Sequence, residues 1–225
     1  MLPDSMLQDP ARRQMVDQQV RAWDVFDPLV LDAMTQVRRE CFVPAIFQGV
    51  AFADAPVQLG HGQIMLPPSL DGRILAALNV VKSDEVLDVG TGSGFLAACL
   101  GRLGARVRSL EIYPDLAERA TANLLAAAAN NVVVDIADAL QLSDESRFDV
   151  IAVSGSVTDP GSLADNRFAR ALRPGGRLFL VTGQAPAMQA RRIVRLSATE
   201  WRQEVIFETS VMPLVNGGLR SHFVF

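Results

Sequence analysis

The chain has 225 residues, 49% of them apolar and 20% charged, with a formal charge of −4 and no long run of either sign. A chain of this length buries a substantial core without disulfides or metals, and its balance offers no electrostatic footprint for a nucleic-acid backbone. Cys41 and Cys99 are far apart and set among apolar residues, a pattern that suits two buried thiols in a reducing compartment rather than a disulfide or metal framework.

Residues Met1–Pro10 carry Asp4, Asp9 and Pro3 and lack a basic region followed by an apolar one, so they do not read as a signal peptide. No segment approaches the roughly 20 apolar residues that span a bilayer. The expected location is the cytoplasm. Asp9–Ala22 and Asp27–Arg38 read as helices, the second with Asp27 as N-cap and Pro28 in a first turn that tolerates it. Pro44–Pro68 is rich in Pro, Gly and Gln and without clear periodicity, which predicts an ordered loop with short strands; long loops of this kind are often functional. Ser69–Val80 follows as a helix.

Beyond Lys82 strands and helices alternate. The strands are Glu85–Val89, Arg106–Glu111, Val132–Ile136, Phe148–Val153 and Arg177–Thr182; the helices are Phe95–Leu103, Pro114–Ala129 and a stretch around Leu163–Leu172. That rhythm predicts a parallel sheet covered by helices, with right-handed crossovers. Ile193–Leu196 and Val205–Val211 have too short a connection for a crossover helix, so this last pair is expected to be antiparallel.

The most informative run is Asp88-Val89-Gly90-Thr91-Gly92-Ser93-Gly94, which breaks the first of these strands at the end where open α/β sheets bind ligands. Alternating glycines permit positive φ and a close ligand approach. Gly92, Gly94 and Ala97 also fit the relaxed dinucleotide fingerprint, so the glycines alone leave the ligand open. Charge separates the two: Asp88 would repel a pyrophosphate but attract an ammonium or sulfonium, and S-adenosylmethionine carries both cations and no phosphate. Glu111 closes the second strand, where a carboxylate can accept from ribose hydroxyls, and Asp138 closes the third, within reach of an adenine amino group. His61, alone between glycines, suits a loop donor; His222 is incidental; Trp23 and Trp201 suit packing, since no basic cluster accompanies them.

Several blocks carry a resemblance. Met15-Val16-Asp17-Gln18-Gln19-Val20, Val30-Leu31-Asp32-Ala33-Met34, Arg38-Arg39-Glu40-Cys41-Phe42-Val43-Pro44, Phe52-Ala53-Asp54 and Gly60-His61-Gly62-Gln63 resemble the protein-L-isoaspartate O-methyltransferases, as does Val211-Met212-Pro213-Leu214-Val215 near the end. Leu172-Arg173-Pro174-Gly175-Gly176-Arg177 is a turn shared by methyltransferases broadly. The resemblance implies a Rossmann-like S-adenosylmethionine methyltransferase sheet, mostly parallel with an antiparallel C-terminal strand pair. A helical N-terminal annex with the substrate loop (1–81) precedes it and packs as one unit with the methyltransferase domain (82–225). It implies methyl transfer from S-adenosylmethionine, leaving S-adenosylhomocysteine, to the free carboxylate of an isoaspartyl residue in a protein or peptide. It also implies a cofactor site of Asp88, Gly90, Thr91, Gly92, Ser93 and Gly94 for the methionine part, Glu111 with Ile112 for the ribose, and Asp138 with Ala139 for the adenine. Asp54, His61 and Gln63 would serve the substrate.

One departure matters. After Gly-Gln the family has Thr-Ile-Ser, whose serine is the residue usually assigned to the active site, whereas here Gly62-Gln63 is followed by Ile64-Met65-Leu66. Leu66 takes the serine position and both hydroxyls are gone. Three readings follow: an isoaspartyl methyltransferase of altered efficiency, a methyltransferase with a different, small-molecule acceptor, or a non-catalytic cofactor binder. Retained Asp54 and Gln63 favour the first and the apolar run favours the second.

Overall fold

The computed structural model describes residues 4–143, 147–159 and 161–217, with side chains from Pro10 onward; His222 lies outside the described residues. Helix α1 (Asp4–Met15) does not run on as a regular helix to Ala22 but passes into a π-helical turn (Val16–Val20) and a 3₁₀ turn (Arg21–Trp23), ending at Asp24 in the left-handed region. The wider turn keeps both Val16 and Val20 in the core. Helix α2 (Pro28–Gln36) starts as expected, with the Asp27 carboxylate accepting from the Leu29 N–H.

The irregular loop contains a 3₁₀ turn (Ala45–Val50) and an antiparallel hairpin, β1 (Val57–Gly60) and β2 (Gln63–Met65). Helix α3 (Pro68–Leu78) follows, and Asn79 closes it in the left-handed conformation that lets the last carbonyls find partners.

The main sheet contains β3 (Glu85–Val89), β4 (Arg106–Glu111), β5 (Val132–Ile136), β6 (Phe148–Val157), β7 (Leu172–Gln184), β8 (Ala187–Arg195) and β9 (Trp201–Thr209), in the order β5-β4-β3-β6-β7-β8-β9. Pairs from β5 to β7 are parallel; β7–β8 and β8–β9 are antiparallel. The expected antiparallel close is therefore present and involves three strands rather than one hairpin. Helices α4 (Phe95–Leu103) and α5 (Pro114–Ala126) cross over on one face. The helix expected around Leu163–Leu172 shrinks to α6 (Arg167–Arg170), capped by Asn166, because Leu172 has joined β7. Trp201 donates from its indole nitrogen to the Ala169 carbonyl and packs on the cluster that holds Phe168 and Leu172.

One apolar cluster joins Met15, Val20 and Met34 of the annex to Leu75 and Leu78 of α3, Phe95 and Leu100 of α4 and Phe179 of the sheet. The annex thus shares its core with the sheet. Two expectations fail at the surface. Cys99 is buried but Cys41 is exposed, and Trp23, expected to pack, is half exposed. Among the described residues no helix is long and apolar enough to cross a membrane.

Candidate cofactor and acceptor site

Strand order reverses beside β3, whose neighbours β4 and β6 lead away in opposite directions, and a crevice opens at their carboxyl ends, as such a switch point requires. The cleft lies between the glycine loop, the β4 and β5 ends, the β1–β2 hairpin and the segment at Met212–Val215.

Backbone conformation explains the glycines. Gly90, Gly92 and Gly94 have φ of 88°, 55° and 89°, which residues with a Cβ rarely adopt. A Cβ on Gly90 would sit 2.3 Å from the Ser154 hydroxyl, which donates to the Val89 and Gly90 carbonyls and fixes the turn from β6. Glu111 is nearly enclosed and works as a backbone clamp: one carboxylate oxygen accepts from Gly92 N–H at 2.9 Å, the other from Ile112 and Tyr113 N–H at 2.9 and 3.1 Å. The oxygen that takes only the Gly92 N–H keeps acceptor capacity toward the cleft. Asp138 caps the short turn Ala139–Gln141 with one oxygen and takes the Asn216 amide on the other, tying the C-terminal segment to the end of β5.

Of the ten residues expected to hold the cofactor, Gly90, Thr91, Gly92, Ser93, Glu111, Ile112, Asp138 and Ala139 line the cleft; Asp88 and Gly94 do not. Gly94 instead starts α4. Asp88 is fully enclosed behind a relay in which Thr91 and Ser109 share a 2.6 Å hydrogen bond and the Ser109 hydroxyl donates to Asp88 Oδ2 at 2.6 Å. Among the described residues its Oδ1 has no partner. Burial, with Glu111 nearby, pushes this carboxyl up to about 7 despite the serine. A buried carboxylate with an unmet oxygen, a glycine turn that a Cβ would fill and a clamped carboxylate at the end of β4 together fit S-adenosylmethionine, which is cationic at its amino-acid end.

Of the substrate residues only Gln63 reaches the cleft wall, with Ile64, Met65 and Leu66 beside it. Asp54 accepts from the Ser69 N–H at 3.1 Å, so it caps α3 from across the loop. His61, exposed and at φ 51°, stacks on Tyr113 at 4.2 Å between centroids and lies 2.8 Å from Asp115, fixing the hairpin tip to α5. The expectation of a loop-holding histidine fits that position better than one of a base.

Two side chains absent from the sequence-derived set shape this end. Arg39, wholly buried, donates to Asp71 Oδ2 at 2.8 Å, to the Leu66 carbonyl at 2.6 Å and to the Ala51 carbonyl at 3.1 Å, with its guanidinium over the Phe95 ring. Asp71 lines the cleft. A signal for it existed: Asp71 shares the apolar stripe of Ile74, Leu75 and Leu78 on α3, and a carboxylate on such a stripe requires a buried partner.

Residues 11–218 match the family model for protein-L-isoaspartate(D-aspartate) O-methyltransferase. The chain belongs to this family. Relatives named protein-L-isoaspartate O-methyltransferase include one from Koribacter versatilis, 35% identical over 206 residues and covering 91% of this chain and 90% of its own length. Another, from Methanoculleus marisnigri, is 36% identical over 203 residues, with 88% and 89% covered. Among solved structures, the isoaspartate methyltransferase of Plasmodium falciparum, crystallised with S-adenosyl-L-homocysteine, superposes with a TM-score of 0.78 over 91% of this chain and 98% of its own, at 21% identity. That likeness concerns the fold.

Proposed function

We propose that the protein transfers the methyl group of S-adenosylmethionine to the free carboxylate of isoaspartyl residues in proteins or peptides, as its family membership implies. The observation that carries this reading is that one cleft is walled at one end by the glycine loop and Glu111 and at the other by the hairpin residues Gln63–Leu66. Cofactor and acceptor residues thus face a common space, as direct transfer demands.

In this reading the backbone of Gly90–Ser93 approaches the methionine part, and Asp88 supplies negative field from behind the loop. Glu111 accepts from the ribose hydroxyls with the capacity its backbone bonds leave free. Asp138, sharing an oxygen with Asn216, receives the adenine amino group. Asp54 and His61 act through the loop, by holding its two ends in place. Residues 1–81 serve as the annex that carries the acceptor wall, and residues 82–225 as the cofactor domain.

No general base is required. A carboxylate with a pKa of about 4 is ionised at neutral pH and attacks the methyl carbon directly. Alignment of nucleophile and methyl can supply about 7–11 kcal/mol of the barrier. With Leu66 at the family's serine position, one hydrogen bond to the acceptor is missing, a loss of about 1.5–3 kcal/mol. Slow but specific turnover follows. The test is transfer of labelled methyl from S-adenosylmethionine to an isoaspartyl peptide and to its aspartyl twin. Esterification confined to the isoaspartyl peptide is the expected result; tight cofactor binding without transfer to either peptide would overturn the acceptor assignment.

A further inference from the structure

We infer that Asp71 senses the charge on the cofactor's sulfur, so that the cleft holds the sulfonium of S-adenosylmethionine in preference to the neutral thioether of S-adenosylhomocysteine. The inference rests on the proposed cofactor reading and adds a specificity-determining residue to it.

Asp71 is 2% exposed, yet it belongs to the cleft wall. Its Oδ2 is taken by Arg39, and its Oδ1 receives no hydrogen bond from the described residues. A carboxylate oxygen left open on the wall of a cleft offers a place to a cation or a donor of the ligand. The position along the cleft follows from Arg39. One of its terminal nitrogens holds the Asp71 carboxylate and the other holds the Leu66 carbonyl, so the two groups lie within the span of one guanidinium. Leu66 stands at the acceptor position, where the methyl group must be presented. The sulfur that bears that methyl is therefore the part of the ligand nearest Asp71.

The other acids are committed elsewhere. Glu111 clamps three backbone N–H groups at the ribose end, Asp138 serves the Leu140 N–H and Asn216, and Asp88 is sealed behind Thr91 and Ser109. Among the described residues no lysine or arginine belongs to the cleft wall to offset Asp71 from the ligand side. During transfer the carbon–sulfur bond breaks, its electron pair stays on sulfur, and the new carbon–oxygen bond takes the acceptor's lone pair. The positive charge opposite Asp71 disappears at that moment. The product then loses an attraction that the substrate enjoyed, which favours exchange of product for fresh cofactor.

The test is calorimetric titration of wild type and Asp71→Asn with S-adenosylmethionine and S-adenosylhomocysteine at about pH 8. The asparagine carbonyl still accepts from Arg39 while the charge is gone. The expected result is a fall of about tenfold in the preference for S-adenosylmethionine, through weaker binding of that ligand, with S-adenosylhomocysteine changed less than about twofold. Equal losses for both ligands, or no loss for either, overturn the inference while leaving the cofactor reading intact. A wild type that binds neither ligand overturns both.

Wild type alone provides a second measurement, independent of how the variant folds. Asp71 is faced by Arg39 from the annex, Asp54 from the loop, Asp88 from β3 and Cys99 from α4; burial, reinforced by Asp88 and Asp54 and opposed by Arg39, pushes it up to about 7. Only its ionised form attracts the sulfonium. The preference for S-adenosylmethionine is therefore present above about pH 7 and collapses as pH falls through that value. Asp88 titrates in the same range, but the amino-acid end is common to both ligands and cancels from the ratio. A ratio that stays flat between about pH 6 and 8.5 overturns the inference.

Discussion

At the β3–β4 end of the cleft the wall is backbone: a glycine turn with three positive φ angles, held by Ser154 and by the clamp of Glu111 on successive N–H groups. At the hairpin end it is side chains, Ile64, Met65 and Leu66, kept in place by Arg39 and Asp71 from elements far apart in the chain. The first end depends on conformations that few residues other than glycine adopt, so its sequence is narrowly constrained. At the second, the scaffold is an ion pair in which Arg39 stands behind the wall and Asp71 within it, so no wall residue depends on a conformation reserved for glycine. In this chain the glycine turn keeps its three positive φ angles, while the hairpin carries Ile64, Met65 and Leu66 where the resemblance implies two hydroxyls.

The largest effect should come from breaking the scaffold of the acceptor end. Arg39→Met strands the Asp71 carboxylate and leaves the Leu66 and Ala51 carbonyls short of a donor. Removing one partner of a buried pair costs about 3–5 kcal/mol. A chemical denaturation midpoint lowered accordingly is expected, and the double change Arg39→Met with Asp71→Leu should recover most of the loss, since the unpaired charge goes too. A single variant as stable as wild type would show that the hairpin holds its own shape.

The cofactor end should break through backbone conformation instead. Gly92→Val forces a β-branched residue to φ 55° and places its Cβ 3.1 Å from the Leu59 side chain. Affinity for S-adenosylhomocysteine should fall at least about a hundredfold, roughly 2.7 kcal/mol, with the fold retained by circular dichroism. Unchanged affinity would mean that the loop carries no ligand.

The same contrast explains what the sequence reveals and what it conceals. Strands Glu85–Val89, Arg106–Glu111 and Val132–Ile136 and helix Phe95–Leu103 are legible to the residue, because apolar runs between glycines and loop signals are local information. The helix expected around Leu163–Leu172 is not, because pairing with β6 draws Leu172 into the sheet over its local helix preference. In the cleft wall, Gly90, Gly92, Glu111 and Asp138 are legible from spacing along one β-α-β rhythm. Asp54 reads as a substrate residue and caps α3, and Asp88 reads as a ligand contact and stands behind the wall. In both cases the motif marks the residue but not the direction its carboxylate faces. Arg39 and Asp71 are 32 positions apart, and only the packing of the annex on α3 brings them together.

The smallest effect, and the most informative about acceptor choice, is restoration of the hydroxyl at the rewritten wall. Leu66 is 7% exposed, and its carbonyl is held by Arg39 independently of its side chain. Leu66→Ser therefore keeps the backbone position while presenting a donor toward the acceptor. Loss of the buried side chain costs stability, about 2–5 kcal/mol by comparison with similar truncations, so the assay belongs well below the unfolding transition. On an isoaspartyl peptide kcat/KM should rise about tenfold, the lower end of what a hydrogen bond to a charged group contributes. Affinity for S-adenosylhomocysteine should hardly change, since the glycine turn and Glu111 are untouched. A wild type that is already fast and is slowed by Leu66→Ser would mean that the apolar wall is itself a working acceptor surface. In that case the hairpin end is not a weakened copy of the family's site but a different solution on the same Arg39–Asp71 frame.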